Sequence, residues 1–232
     1  MNSLNLLIIE TIICLIMLII MYKKYKIEGL YTYTIISLVL SFLMSLKKVS
    51  VYDYDVNLGI IPLVTTFTSF NIVIQKKGVE ETKKFLLTVL STTLISYFIF
   101  LLISYMNSSN INLFTNASYD NIFRDSLRIY FANIVTVLYG LLLNNKLYFY
   151  LKVMKNNILI SNIFSTIIIQ FIASIIFGLV SYVFTLEIID VIKIIMIRYL
   201  ISLVVGILST IVIYVTKYIK EEKSGTNKYE NK

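Results

Sequence analysis

The chain has 232 residues, of which 58% are hydrophobic and only 15% charged, with a formal net charge of +8. Soluble domains carry about 25% charged residues, so this composition excludes ordinary soluble enzymology as the starting point and places the chain in a lipid bilayer. There is no His and one Cys, Cys14, which excludes a zinc, haem or iron–sulfur site built on those ligands and any disulfide within the chain.

Apolar runs follow one another along the sequence: Leu4–Tyr22, Leu30–Leu46, Ile60–Ile74, Phe85–Met106, Ile129–Leu143, Ile158–Phe184 and Val191–Thr216. A hydrocarbon core about 30 Å thick needs about 20 mostly apolar residues in helical form. Backbone groups in lipid must pair internally, which leaves helices or closed barrels. These runs are continuous and too long for barrel strands. The expected fold is therefore all-α, a polytopic transmembrane helix bundle of six to seven spans. Residues 1–216 form one transmembrane domain and 217–232 a charged cytoplasmic tail, expected to be disordered.

The first run is followed, not preceded, by its basic cluster and has no small-residue cleavage site, so it reads as a retained helix. Glu10 inside it is costly at depth and reads as structural or placed at the interface. Ile60–Ile74 is short and is entered through Gly59 and Pro62. Proline in a first turn loses no needed N–H, so this is an ordinary helix start or a half-helix lining a cavity. Residues 107–128 read as a polar and aromatic loop. No Gly-rich phosphate loop is present.

The basic residues set an orientation. Lys23, Lys24 and Lys26, then Lys76, Lys77, Lys83 and Lys84, then Lys146, Lys152 and Lys155, then the tail lysines from Lys217 onward account for 15 of the 21 Lys and Arg. With seven spans these segments fall on one side, which the positive-inside rule makes cytoplasmic. The N-terminus is expected outside and the C-terminus inside, in a cell membrane. Lysines facing anionic lipid account for the net charge, so no nucleic-acid partner is needed.

Polar residues inside the runs carry the functional signal. The third run holds Thr65, Thr66, Thr68, Ser69 and Asn71 and continues to Gln75, one helical turn beyond Asn71. The fifth contributes Asn133, Thr136 and Asn144, and the sixth Asn162, Ser165, Thr166 and Gln170. Such groups turn away from lipid. Any one of them is adequately explained as helix–helix glue, worth about 0.6 kcal/mol per bond. Amides in three separate helices point to a polar cavity.

These residues also resemble a family. The stretch Gly59 to Lys84 is similar to the segment of the queuosine-precursor transporter family (YhhQ or VUT family) in which a proline-containing run leads into D-x-x-x-E/R-x-x-G; Asn71, Gln75 and Gly78 keep that spacing. Arg128 to Asn133 resembles its R-x-x-x-A-S, and Asn144 stands where the family has Asp or Asn. Ser165, Thr166, Gln170, Ala173, Ser174 and Phe177 follow S-T-x-x-x-Q/N-x-x-D-T-x-x-F, and Tyr199 and Tyr214 match tyrosines of the last helix. The resemblance covers residues 35–220. It departs from the pattern at Asn71 and Ala173, both acidic in the family, at Ser202 for a lysine and at Val212 for a proline.

The resemblance implies import of a 7-deazaguanine-type base, a queuosine precursor, or a related purine-like small molecule. Asn and Gln can pair with such an edge bidentately. Asn71, Gln75 and Gln170 would bind the substrate, Ser165 and Thr166 would complete the polar wall, and Asn133 and Asn144 would orient the facing helix. Phe70 or Phe177 would stack on a flat ring, although packing between helices explains either. No cofactor or metal is expected, and no catalysis. The partners expected are the purine-like substrate and membrane lipid, with a homo-oligomer left open. Two other readings stand: a substrate-binding membrane subunit of a multi-component vitamin-type uptake system, and a structural membrane protein whose polar residues only hold helices together.

Overall fold

The computed structural model describes residues 3–45, 47–51, 54–106, 113–155 and 157–219. In chain order they form α1 (Ser3–Ser45), β1 (Lys48–Val51), β2 (Tyr54–Asn57), α2 (Ile60–Ser104), α3 (Leu113–Lys155), α4 (Ile158–Tyr182) and α5 (Ile188–Tyr218). All five helices are long and apolar enough to cross a membrane. The expectation of an all-α membrane bundle holds, but six to seven spans exceed the five helices found among the described residues. The charged tail from residue 220 onward lies outside the described residues.

The count differs because two pairs of runs are joined into continuous helices, each sharply bent. In α1 the break is at Lys26 (φ 54°, ψ −132°); in α2 it is at Gly78 (φ 83°, ψ −175°). Both helices fold back on themselves. The Tyr33 hydroxyl lies 3.1 Å from the Cys14 carbonyl, although these residues would be about 28 Å apart in a straight helix. Phe70 and Phe85 have ring centroids 4.4 Å apart, against about 22 Å if α2 were straight. Each bent helix thus has a leading and a trailing arm lying side by side.

Glycine suits the positive φ at residue 78, where no atom lies within 4 Å of an added Cβ; the backbone alone demands it. Lysine does not suit the same region at residue 26. Lys26→Gly is therefore expected to stabilise the protein by about 1 kcal/mol, read as a raised unfolding temperature in detergent. A lower one would mean that the lysine side chain contributes more than its backbone costs.

The bends gather the basic clusters at one end of the bundle. Lys76 Nζ donates to the carbonyls of Lys217 (3.3 Å) and Ile219 (3.2 Å) and lies 5.8 Å from the Tyr22 ring centroid. The Lys26 bend, the Gly78 bend and the end of α5 therefore share one end. At the other end β1 and β2 form a short antiparallel hairpin, pairing Lys48 with Asn57 and Val51 with Tyr54. Nothing in the helical reading anticipated these strands.

Every residue from Ile60 to Ile74 is buried, so the leading arm of α2 is the central helix of the bundle. Its shortness as an apolar run follows from this position. A helix wrapped by protein need not be apolar all round, and Thr65, Thr66, Thr68, Ser69 and Asn71 are all inside. The large exposed side chains are instead apolar, among them Ile12, Phe98, Ile192 and Ile211, as a lipid-facing surface requires. The trailing arm of α2 is held to α3 by a contact between the Ser96 and Tyr130 hydroxyls.

Residues 113–128, expected as loop, belong to α3, which runs unbroken for 43 residues. That stretch contains no Pro or Gly to stop a helix. At 1.5 Å per residue α3 is about 65 Å long, so it extends well beyond a hydrocarbon core. In α4 the Asn157 side chain caps the helix, accepting from Leu159 N (3.0 Å) and Ile160 N (3.3 Å).

Candidate functional site

The central arm of α2 brings Asn71 between α3 and α4, and the three helices are joined there by side-chain amides. Asn144 Nδ2 on α3 donates to Asn71 Oδ1 at 2.6 Å. Asn71 Nδ2 donates to Asn162 Oδ1 on α4 at 2.7 Å. Asn162 Nδ2 in turn donates to Thr210 Oγ1 on α5 at 2.7 Å. All four residues are buried. One unbroken relay therefore crosses four helices, with donor and acceptor alternating at every amide.

Beside this relay lies a small cavity lined by Phe67, Thr68, Asn71, Asn144, Thr166, Gln170 and Ser209, with Val64, Ile169 and Gly206 completing it. Its free space is about 10 Å³, whereas sites for drug-sized ligands run to about 300–1,000 Å³. Two glycines let the walls close. Phe67 packs where a side chain on Gly140 would stand, and Thr166 packs where one on Gly206 would stand. A purine-sized molecule could occupy this position only if α3, α4 or α5 moved away from α2.

Of the residues expected in a site, Asn71, Asn144, Thr166 and Gln170 are brought together. Gln170 is buried and lines the cavity, and no described residue hydrogen-bonds to it. Gln75 is half-buried one turn nearer the Gly78 bend, outside the cavity, with its buried Oε1 unbonded. Asn133 is also outside. It lies about 16 Å along α3 from Asn144, buried, with neither side-chain polar atom bonded. Ser165 turns back to its own helix, donating to the Asn162 carbonyl at 3.0 Å.

Neither aromatic expected to stack on a ligand is placed to do so. Phe70 packs against Phe85 within the α2 fold-back, and Phe177 lies under the Arg198 guanidinium, 3.6 Å from it. Phe67 is the ring at the cavity. Asn162 and Thr210 complete the relay and are not among the residues expected in a site. Asn162 is one of the polar residues of its run but falls outside the family motif. For Thr210 the legible signal was Gly206, Ser209 and Thr210, three small residues on one face of α5 at i, i+3 and i+4.

Neither a curated protein nor a solved structure matches the chain. A known family does: residues 57–216 match the family described as "putative vitamin uptake transporter". The match takes in the whole of α2, α3 and α4 and all but the last two residues of α5. The chain is thus a multi-pass membrane protein that belongs to this vitamin uptake transporter family.

Proposed function

We propose that the chain imports a 7-deazaguanine-type base, a queuosine precursor, or a related purine-like molecule through the cavity beside Asn71. The observation that carries this reading is the Asn144–Asn71–Asn162–Thr210 relay. Each amide in it offers one acceptor and two donors, and its current partners are other amides and the Thr210 hydroxyl. Parting the helices would release a ready-made row of alternating donors and acceptors, which a flat heterocycle with amide and amine edges complements. Gln170 on the cavity wall adds another such pair of groups. Because the cavity is closed over, transport requires the helices to expose the relay first to one side and then to the other. The end bearing Lys23–Lys26, Lys76–Lys84 and Lys217 would face the cytoplasm, with the N-terminus outside.

Uptake of labelled 7-deazaguanine bases by a host unable to make queuosine tests this reading. Accumulation above a host lacking the protein is expected. Membrane-inserted protein with no accumulation would count against the substrate, and a panel of other purines would then be tried. Purified chain that transports alone in liposomes would exclude the reading as a subunit dependent on a separate ATPase.

A further inference from the structure

We infer that the pocket around Arg198, on the hairpin side of the bundle, binds an oxyanion: the carboxylate or phosphate group of a small solute or a lipid. This is independent of the relay and of the transport reading above.

Arg198 lies about 15 Å into α5 from its start and is only 4% exposed. Among the described residues nothing forms an ion pair or hydrogen bond with its guanidinium. The Phe177 ring centroid is 3.6 Å away, and Tyr182 stands close enough to act on the cation electrostatically. A ring in that position engages the flat face of the cation. The N–H donors lie in the guanidinium plane and so remain unused. An ionisable group retained within a membrane helix without a partner is costly and points to a functional role.

The rest of the pocket repeats the pattern. Asn57, at the end of β2, uses its Oδ1 to accept from Gly59 N at 2.8 Å. That bond fixes the amide and leaves its Nδ2, which is buried, within no hydrogen-bonding distance of a partner, and faces the Tyr182 hydroxyl only through a weak, longer-range interaction. Lys48 on β1 stands at the same pocket with its Nζ 5.1 Å from the Tyr182 ring. Among the described residues the single carboxylate there is Asp55, which is exposed on β2. Among the described residues two cations and a buried amide donor therefore face one carboxylate. The balance favours an anion.

The free space, about 20 Å³, admits a small terminal group and not a whole organic molecule. A guanidinium fork matches two oxygens of one carboxylate or phosphate, which a spherical halide cannot offer. The hairpin residues Lys48 and Asn57 line this pocket together with Phe177 of α4 and Arg198 of α5. Such a group would tie the hairpin to both helices.

The test uses the full chain in uncharged maltoside micelles, with unfolding temperature as the readout. Potassium phosphate and potassium acetate are each compared with potassium chloride at equal ionic strength, and phosphatidylglycerol is added in a separate arm. A rise with phosphate or acetate beyond that with chloride is expected, with the half-saturating concentration raised more than about tenfold in Arg198→Gln. Arg198→Lys, which keeps the charge without the fork, should retain part of the effect. If phosphatidylglycerol alone gives an Arg198-dependent rise and phosphate then adds nothing, the bound group is a lipid headgroup; the converse identifies a soluble ligand. Should Arg198→Gln fail to fold, Lys48→Gln takes its place and should weaken the phosphate effect about tenfold. No rise beyond chloride with any probe, or a rise undiminished in the variant that folds, overturns the inference.

Discussion

Asn71→Leu is expected to abolish uptake and to destabilise the bundle by about 1–3 kcal/mol. Asn71 is the one residue of the relay that bonds to amides on both sides, accepting from Asn144 and donating to Asn162. Leucine removes both bonds and leaves the facing Nδ2 and Oδ1 without partners at a position from which lipid and water are both excluded. The isolated value of a bond within a membrane bundle is small, about 0.6 kcal/mol; the larger figure comes from the two groups left unpaired. Losing one substrate hydrogen bond of ordinary strength would alone cost about tenfold in affinity, so uptake should fall at least that far.

Asn71→Asp separates the two effects. A carboxylate accepts and cannot donate, so the bond from Asn144 survives while the bond to Asn162 does not survive as it stands. The Asn162 amide can turn over, giving its Nδ2 to the new carboxylate and taking on its Oδ1 the Thr210 hydroxyl hydrogen, which leaves its long 3.5 Å bond to the Gly206 carbonyl. The relay is then satisfied again with its direction reversed beyond residue 71. The expected result is a well-folded protein whose preference among purine-like bases shifts toward those presenting ring N–H donors. Thermal unfolding and competition uptake with a base panel measure both. Wild-type uptake by membrane-inserted Asn71→Leu would remove the relay from any transport role.

The bilayer setting was fully legible, since composition and run length decide it and neither depends on tertiary contacts. The number of helices was not. A run of apolar residues says nothing about whether the polar stretch after it is a loop or a bend, and Lys23–Tyr25 and Gln75–Lys77 are helical up to the breaks at Lys26 and Gly78. The hairpin was hidden for a related reason: four-residue strands leave too little pattern to read. The burial of Asn71, Asn144, Thr166 and Gln170 around one cavity was within reach because amides and hydroxyls inside apolar runs must turn inward. That argument fixes direction toward protein and not toward one another. Asn133 is buried on the same helix as Asn144, about three turns away, and meets none of the relay. Motif position favours Ser165 over Asn162, whereas the folded chain selects by facing direction, and Asn162 is the residue that faces Asn71.

Gly206→Ala should impair both folding and uptake, and the second change Thr166→Ser should restore much of each. An added Cβ at Gly206 would fall inside the contact distance of Thr166 Cγ2. Threonine is β-branched and held to few side-chain rotamers in a helix, so it cannot swing clear cheaply. The conflict would force α5 away from α4 at the level where Asn162 donates to Thr210. Overpacking of this kind costs about 1–3 kcal/mol, and small residues are what allow membrane helices to approach so closely. Thr166→Ser deletes the obstructing methyl and keeps the hydroxyl at the cavity wall. The double variant should therefore recover unfolding temperature and uptake together if the close α4–α5 contact holds the relay in register. Recovery of stability without uptake would assign the Thr166 methyl to substrate contact. A Gly206→Ala protein indistinguishable from wild type would mean that α4 and α5 separate at this level with little cost, and the relay would then lose its anchor on α5.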